Sequence, residues 1–328
     1  MPRVKFAIPK GSLWEDTVKL LSQAFYEFKG AERTYRPVVG DPEIELKVLR
    51  PQEIPLYVAA GYHDIGITGR DWLEETGADV EALADLEYGS VKLVMAAPAQ
   101  TPYESFDQML EEYASENRPL RISTEYLNLT SRFVRSLPSY SKRFGDSEPL
   151  MVTPWWRRGE NEAVKIYLSF GATEAKPPEE ADAIMDVTRT GATLAQNNLK
   201  IIDVVLESSA MLVANKEALK DEWKGEKIYD VLTLLKGVVE GRKMLHIFVN
   251  VEERNLQRLV NLLPALKGPT ISRLSKEGWY AVNTVVSRED FLRILPRLRR
   301  LAQGLVVHDP RLILPLEEIA RRRDGGEE

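Results

Sequence analysis

At 328 residues, 44% of them hydrophobic and 29% charged, the chain is long enough for two or three domains with a sizeable core. A net charge of −6 gives no basic excess for nucleic acid, so an anionic substrate must be met by a local positive site. The absence of cysteine excludes disulfides, thiolate chemistry and Cys-ligated zinc, and His63, His246 and His308 lack metal-ligand spacing. No apolar run is long enough to span a bilayer, and MPRVKFAIPKGS has no signal-peptide hydrophobic segment. The expectation is a cytoplasmic protein with neither membrane nor nucleic-acid partners.

In chain order, Val4 to Ile8 reads as a strand ending in Pro9-Lys10-Gly11-Ser12. An amphipathic helix is predicted from about Leu13 to Phe28, with Leu13, Val18, Leu20, Leu21 and Phe25 near helical spacing. Ile44 to Leu49 alternates as a strand does, Pro51 to Ala60 reads as helix, and His63 to Ile67 as a short apolar strand. Gly69-Arg70-Asp71-Trp72 opens another helix, and Val91 to Ala96 is again a strand. Strands alternating with helices argue for an α/β fold with a mostly parallel sheet. Thr101-Pro102 marks the expected crossing between domains. Arg121 to Thr124 is a strand meeting a helix at Glu125 to Thr130, and Pro138 to Gly159 reads as a long connection. Val164 to Phe170 is a strand, and Lys200 to Ala214 is extended chain returning to the first lobe. A helix from Tyr229 to Glu240 leads into a strand–helix–strand–strand–helix–strand pattern from Lys243, the ferredoxin-like order. The charged Glu317 to Glu328 is expected to be frayed.

The most informative stretch is Ala181 to Leu194, ADAIMDVTRTGATL. Ala183-Ile184-Met185 suits a strand buried on both faces, and Asp186 ends it. Thr188, Thr190, Gly191 and Thr193 follow within eight residues. Gly191 permits a tight turn, helix-start N–H groups favour an anion, and threonine hydroxyls can bond phosphate oxygens. The chemistry suggested is a sugar phosphate with a carboxylate beside the sugar. On spacing alone an ordinary βα turn with a Thr cap serves equally well. No G-x-x-x-x-G-K-[ST] motif is present.

The pattern D-x-x-x-T-G-x-T resembles the 5-phosphoribosyl 1-diphosphate (PRPP) loop of phosphoribosyltransferases. With Gly171 to Lys176 (GATEAK) and ADAIMD it is similar to the ATP phosphoribosyltransferase family. Three further segments agree: Phe6 to Leu13 (FAIPKGSL), Leu49 to Pro55 (LRPQEIP) with Gly61 to Asp71 (GYHDIGITGRD), and Leu266 to Ser272 (LKGPTIS) with Gly278 to Val282 (GWYAV). The resemblance runs from about residue 4 to about residue 315. It implies a two-lobed, periplasmic-binding-protein-like (type II) α/β catalytic core followed by a ferredoxin-like (ACT-like) α+β regulatory domain. The expected partition is 1–98 and about 206–225 in lobe I, 99–205 in lobe II, 226–316 in the regulatory domain, and 317–328 as a charged tail.

The family reaction joins adenine N1 of ATP to C1 of the PRPP ribose and releases pyrophosphate. The resemblance assigns Asp186 and Glu174 to the ribose, and Val187, Thr188, Arg189, Thr190, Gly191, Ala192 and Thr193 to the 5-phosphate. It assigns Lys10, Gly11 and Arg50 to phosphates, and Asp71 and Tyr126 to the nucleotide. Mg²⁺ is expected to be held through the substrate pyrophosphate, without direct protein ligation. Thr270 and Ser272 are expected to bind histidine as inhibitor, in a homo-oligomer that is a dimer or a hexamer. Trp155-Trp156-Arg157-Arg158 departs from the family pattern and reads as a surface hairpin or subunit contact. A two-lobed sensor without catalysis would share the fold but leave the phosphate loop unexplained. An orotate- or purine-type phosphoribosyltransferase would leave both terminal matches unexplained.

Overall fold

The first sheet begins with β1 (Val4–Pro9), whose side chains Phe6 and Ile8 are among the most deeply buried in the computed structural model. The structure describes residues 2–29, 34–264, 268–314 and 316. After β1 come α1 (Trp14–Gln23), β2 (Phe28–Lys29), β3 (Val38–Val39), β4 (Ile44–Leu49), α2 (Ile54–Ala59), β5 (Ile65–Gly69), α3 (Arg70–Thr76) and β6 (Glu81–Asp85). Helix α1 stops short of the predicted Phe28, because the chain turns at Phe25 with φ 67.

The chain then crosses to a second sheet with β7 (Val91–Pro98), α4 (Phe106–Ser115), β8 (Leu120–Thr124), α5 (Leu127–Ser136), α6 (Pro138–Phe144), β9 (Pro149–Val152), β10 (Arg157–Arg158), β11 (Asn161–Leu168), β12 (Ala183–Thr188), α7 (Ala192–Gln196) and β13 (Leu199–Ser208). It returns through β14 (Ala210–Ala214), α8 (Lys216–Lys220) and α9 (Glu222–Lys243). Lobe I is a five-stranded sheet in the order β4-β1-β5-β14-β6, and lobe II a seven-stranded sheet in the order β10-β9-β11-β8-β12-β7-β13.

The lobe boundaries differ from those expected. Strand β7 was assigned to lobe I but pairs with β12 and β13 in lobe II. β13 stays in lobe II up to Ser208 rather than leaving near 206. The crossings therefore lie at residues 86–90 and at Ser209. Thr101 is no crossing: its hydroxyl closes a turn on Pro98 O at 2.7 Å ahead of α4. A strand buried on both faces reads the same whichever sheet takes it. Residues 138–159, expected as a connection, contain α6, β9 and β10.

Helix α9 was assigned in large part to the third domain. Its Ile228, Val231, Leu232, Leu235 and Val238 instead sit in the lobe I core. The third domain starts at β15 (Met244–Glu252) and continues with α10 (Glu253–Leu262), β16 (Thr270–Arg273), β17 (Trp279–Ser287), α11 (Arg288–Leu301) and β18 (Ala302–His308). Its antiparallel sheet, β16-β17-β15-β18, has the ferredoxin-like order. Leu245, Ile247, Val249 and Val251 face the helices and form its core with Leu259, Ile294 and Leu298. Beyond β18 the chain packs back on lobe I, with Ile313 N–H donating to Gly237 O at 2.9 Å. Leu266, Lys267 and the tail 317–328 lie outside the described residues.

Candidate active site

Strands β9, β11, β8 and β12 run parallel, so their carboxyl ends share one edge of lobe II. In lobe I, β4, β1 and β5 do the same. Ligands of open α/β sheets bind beyond these ends. The predicted residues fall along the two edges: Arg50 after β4, Lys10 and Gly11 after β1, and Asp71 after β5. In lobe II, Tyr126 follows β8, Glu174 follows β11, and the Thr-rich loop follows β12.

The loop is built as a strand, tight turn and helix. Gly191 has φ +79 at the N-cap of α7, a conformation that a side chain disfavours. Thr188 Oγ1 accepts from Gly191 N–H at 2.9 Å, and Thr190 Oγ1 accepts from Ala192 N–H at 3.4 Å. Two of the threonines therefore brace the turn, and each hydroxyl proton remains available to a phosphate oxygen. Arg189 lines a cavity of about 640 Å³ at the lobe crossing, with Arg70, Lys92, Asp85 and Ser208.

Asp186 sits at the start of this loop. Burial, reinforced by the carboxylates of Glu174 and Glu125, pushes its carboxyl up to about 6, against the opposing Val187 N–H and Thr173 hydroxyl. The Val187 N–H reaches Asp186 Oδ1 at 2.7 Å. Glu174 is carried by a 3₁₀ turn, Thr173–Ala175, set by Ala172 in the left-handed region. Three carboxylates thus converge beside the loop, and one of them, Glu125, had no role in the sequence reading. A charged residue following a buried strand was its only signal.

Asp71 and Tyr126 are brought together across the cleft. The Tyr126 hydroxyl donates to Asp71 Oδ2 at 2.7 Å, and Ser208 Oγ donates to Asp71 Oδ1 at 2.6 Å. Burial and the Asp71 carboxylate hold the Tyr126 hydroxyl far above the ordinary tyrosine range, so it stays a donor. Its ring stacks on Trp72 at 4.4 Å. Glu75, another residue that the sequence did not single out, accepts from the N–H groups of Asn128 at 2.9 Å and Leu129 at 2.8 Å. A lobe I carboxylate thereby caps the lobe II helix α5, which has no side-chain cap of its own.

The cations lie at the rim. Lys10 is exposed, with Nζ 3.4 Å from Tyr35 Oη and 5.0 Å from its ring centroid. Arg50 is exposed and close enough to Glu125 to lower its carboxyl, which burial otherwise raises. Among the described residues no three His, Asp or Glu side chains are grouped to hold a metal ion. Trp155 lies in the tight turn between β9 and β10, 73% exposed, edge-to-face with Phe170 at 5.8 Å. Thr270 and Ser272 lie apart from the cleft on β16, whose four residues are all exposed.

The two-lobed sheet architecture and the family matches place the chain among enzymes of the phosphoribosyltransferase class. The ATP phosphoribosyltransferase family pattern matches residues 50–237, and that of its C-terminal domain (HisG, C-terminal domain) matches 241–309. ATP phosphoribosyltransferase of Thermodesulfovibrio yellowstonii is 35% identical, covering 95% of this chain and 98% of its own. That of Solibacter usitatus is 36% identical, covering 94% and 97%. A solved ATP phosphoribosyl transferase (HisG:HisZ) complex from Thermotoga maritima has a chain 26% identical, with a TM-score of 0.55, covering 72% of this chain and 98% of that one. The chain belongs to the ATP phosphoribosyltransferase family, whose reaction is the first step of histidine biosynthesis.

Proposed function

We propose that the cleft holds PRPP against lobe II and ATP between the lobes, and that the residues above divide the reaction between them. Asp186 accepts from the ribose hydroxyls, with Glu174 beside the sugar. Val187 to Thr193 wrap the 5-phosphate through backbone N–H groups and the Thr188 and Thr190 hydroxyl protons. Lys10, Gly11 and Arg50 meet the polyphosphates from the lobe I rim, and Asp71 and Tyr126 position the nucleotide. The observation that carries this reading is the convergence of Asp186, Glu174 and Glu125 beside the loop after β12.

Adenine N1 forms a bond to ribose C1 as the bond from C1 to the diphosphate oxygen breaks. No nucleophile of the protein is needed. The chain supplies orientation and electrostatic stabilisation of a ribose that becomes positive and a leaving group that becomes negative. Mg²⁺ would arrive on the substrate diphosphate, where it neutralises leaving-group charge. Among the described residues no three His, Asp or Glu side chains are placed to hold a metal ion, which suits a metal carried by substrate better than a protein cage.

The exposed β16 strand, with the Thr270 and Ser272 hydroxyls, is proposed to bind histidine where a second subunit covers it. Inhibition would follow if histidine favours one assembly over another, hexamer over dimer. No helix among the described residues is long and apolar enough to cross a membrane. A cytoplasmic setting is part of this proposal.

The test is turnover of ATP and PRPP with Mg²⁺ and pyrophosphatase, followed by the adenine absorbance change, with and without histidine. Turnover that falls with histidine, with a parallel change in sedimentation, supports both halves. Turnover indifferent to histidine removes the regulatory half. Binding of PRPP without turnover would leave a sensor.

A further inference from the structure

The Asp71 carboxylate is gripped by residues from β5, α3, β13 and the start of α5. Ser208, the last residue of β13, donates from Oγ to Asp71 Oδ1 at 2.6 Å and accepts from the Asp71 backbone N–H at 3.0 Å. One hydroxyl thus holds the main chain and the side chain of the same residue. Tyr126 Oη donates to the other carboxylate oxygen at 2.7 Å. Asp71, Ser208 and Tyr126 are all buried, so water competes little for these bonds. A Cβ added to Gly69, which ends β5, would overlap Asp71 Oδ1, and the three atoms nearest to it all belong to the Asp71 carboxyl group. Gly69 has φ −77 and ψ 147, which any residue adopts, so the glycine serves space rather than backbone freedom.

This grip exceeds what a helix start requires. Gly69, at the N-cap of α3, offers no side-chain acceptor, and the Ser208 hydroxyl supplies one from a remote strand. Capping explains the bond to the Asp71 N–H. It explains neither the second bond, to the side chain, nor a glycine kept clear of that carboxylate. Ser208 and Tyr126 take two of about four lone-pair sites and fix the plane in which the other two point.

We propose that Ser208 and Gly69 are positioning residues for the nucleotide: Ser208 holds the Asp71 carboxylate in one rotamer, and Gly69 leaves the space which that rotamer fills. The remaining lone pairs then meet a hydrogen-bond donor of the bound nucleotide. The inference rests on the reading that Asp71 serves the nucleotide. No bond forms or breaks at either residue. A carboxylate oriented in advance spares the substrate the cost of ordering it, so loss of that orientation appears as weaker nucleotide binding. Ser208 and Tyr126 both come from lobe II, so a lobe I carboxylate takes its direction from the opposite lobe.

The test measures steady-state kinetics of Ser208→Ala, Gly69→Ala and Asp71→Asn, and of the two double variants that combine Asp71→Asn with each of the others, with unfolding midpoints alongside. Ser208→Ala and Gly69→Ala should each raise KM for ATP about tenfold, the range of one hydrogen bond to a charged group. The split should be clean, with kcat within about threefold and KM for PRPP within about twofold of native. In the Asp71→Asn background each should change KM for ATP by less than about twofold, because both act through that carboxylate. Calorimetric binding of ATP supplies the same comparison for a variant that folds but turns over too slowly. Gly69→Ala removes no hydrogen-bonding group, so it carries the test if Ser208→Ala does not fold. Lower unfolding midpoints with an unchanged KM for ATP would make both residues structural and overturn the assignment. Effects that multiply undiminished with Asp71→Asn, or a rise confined to KM for PRPP, would do the same. An Asp71→Asn enzyme with the native KM for ATP would instead break the reading beneath it.

Discussion

The interlobe cleft and the C-terminal sheet use polar residues in opposite ways. In the cleft, polar side chains from distant segments are buried against one another: Asp71 with Tyr126 and Ser208, and Glu75 with the start of α5. In the C-terminal domain the buried set is almost wholly apolar, Thr284 excepted, and β16 lies exposed on the sheet. There His246 pairs in register with His308, and its ring bonds Asn283 beside Phe248, which is 37% exposed. A cleft of the first kind carries chemistry within one chain. A sheet of the second kind offers a surface, and its function depends on what covers it. On the proposed reading, the reaction belongs to the lobes and regulation to the domain after Lys243.

The comparison can be broken most severely at Asp186. Asp186→Asn should lower kcat/KM for PRPP by about 100-fold or more, because charge-assisted hydrogen bonds to ribose hydroxyls are worth about 1.5–3 kcal/mol each. Unfolding midpoints measured alongside should not fall, since the native carboxylate is itself penalised by burial. A drop in stability matching the loss of rate would make Asp186 a structural residue.

The same carboxyl sets a pH dependence. Its folded value of about 6 lies above the ordinary 3.8, so between these values the folded chain holds more proton than the unfolded chain. This group's contribution to stability therefore falls as pH rises through that window. On the proposed reading activity runs the other way, because only the ionised form would accept from the ribose hydroxyls. The expected profile of kcat/KM for PRPP has an acidic limb near pH 6 that steepens to about tenfold per unit below it. Asp186→Asn should abolish the limb, and its persistence in that variant would assign it elsewhere.

A smaller effect is expected at the cross-lobe cap. Glu75→Gln weakens the bonds to two α5 N–H groups and should cost about 1–2 kcal/mol in chemical denaturation. If stability is unchanged, the lobes are held together elsewhere. Least of all should happen at β16. Thr270→Val with Ser272→Ala, on an exposed strand, should shift stability by no more than about 0.5 kcal/mol and leave basal turnover intact. The histidine response should nevertheless weaken, and an unaltered response would move the effector site off this strand.

The βαββαβ order of the last domain was legible because β15, β17 and both helices are amphipathic, each with one face buried. The loop after β12 was legible because Gly191 and its threonines serve the local backbone. Lobe membership was not. Met95 and Ala96 of β7 are buried on both faces, and such a strand carries no mark of its sheet. Glu125 and Glu75 were likewise silent, since each acts on residues at least 50 positions away.

The sequence by itself therefore determined what depends on neighbours along the chain: the strand and helix periods, the Gly- and Thr-rich turn after β12, and the succession of two α/β lobes and a ferredoxin-like domain. Only the tertiary structure decided where the chain crosses between lobes, that α9 completes the first core, and which carboxylates surround Asp186. Those outcomes rest on burial and on hydrogen bonds between remote segments. Their energies come from excluding water when the lobes meet, and no local pattern encodes that.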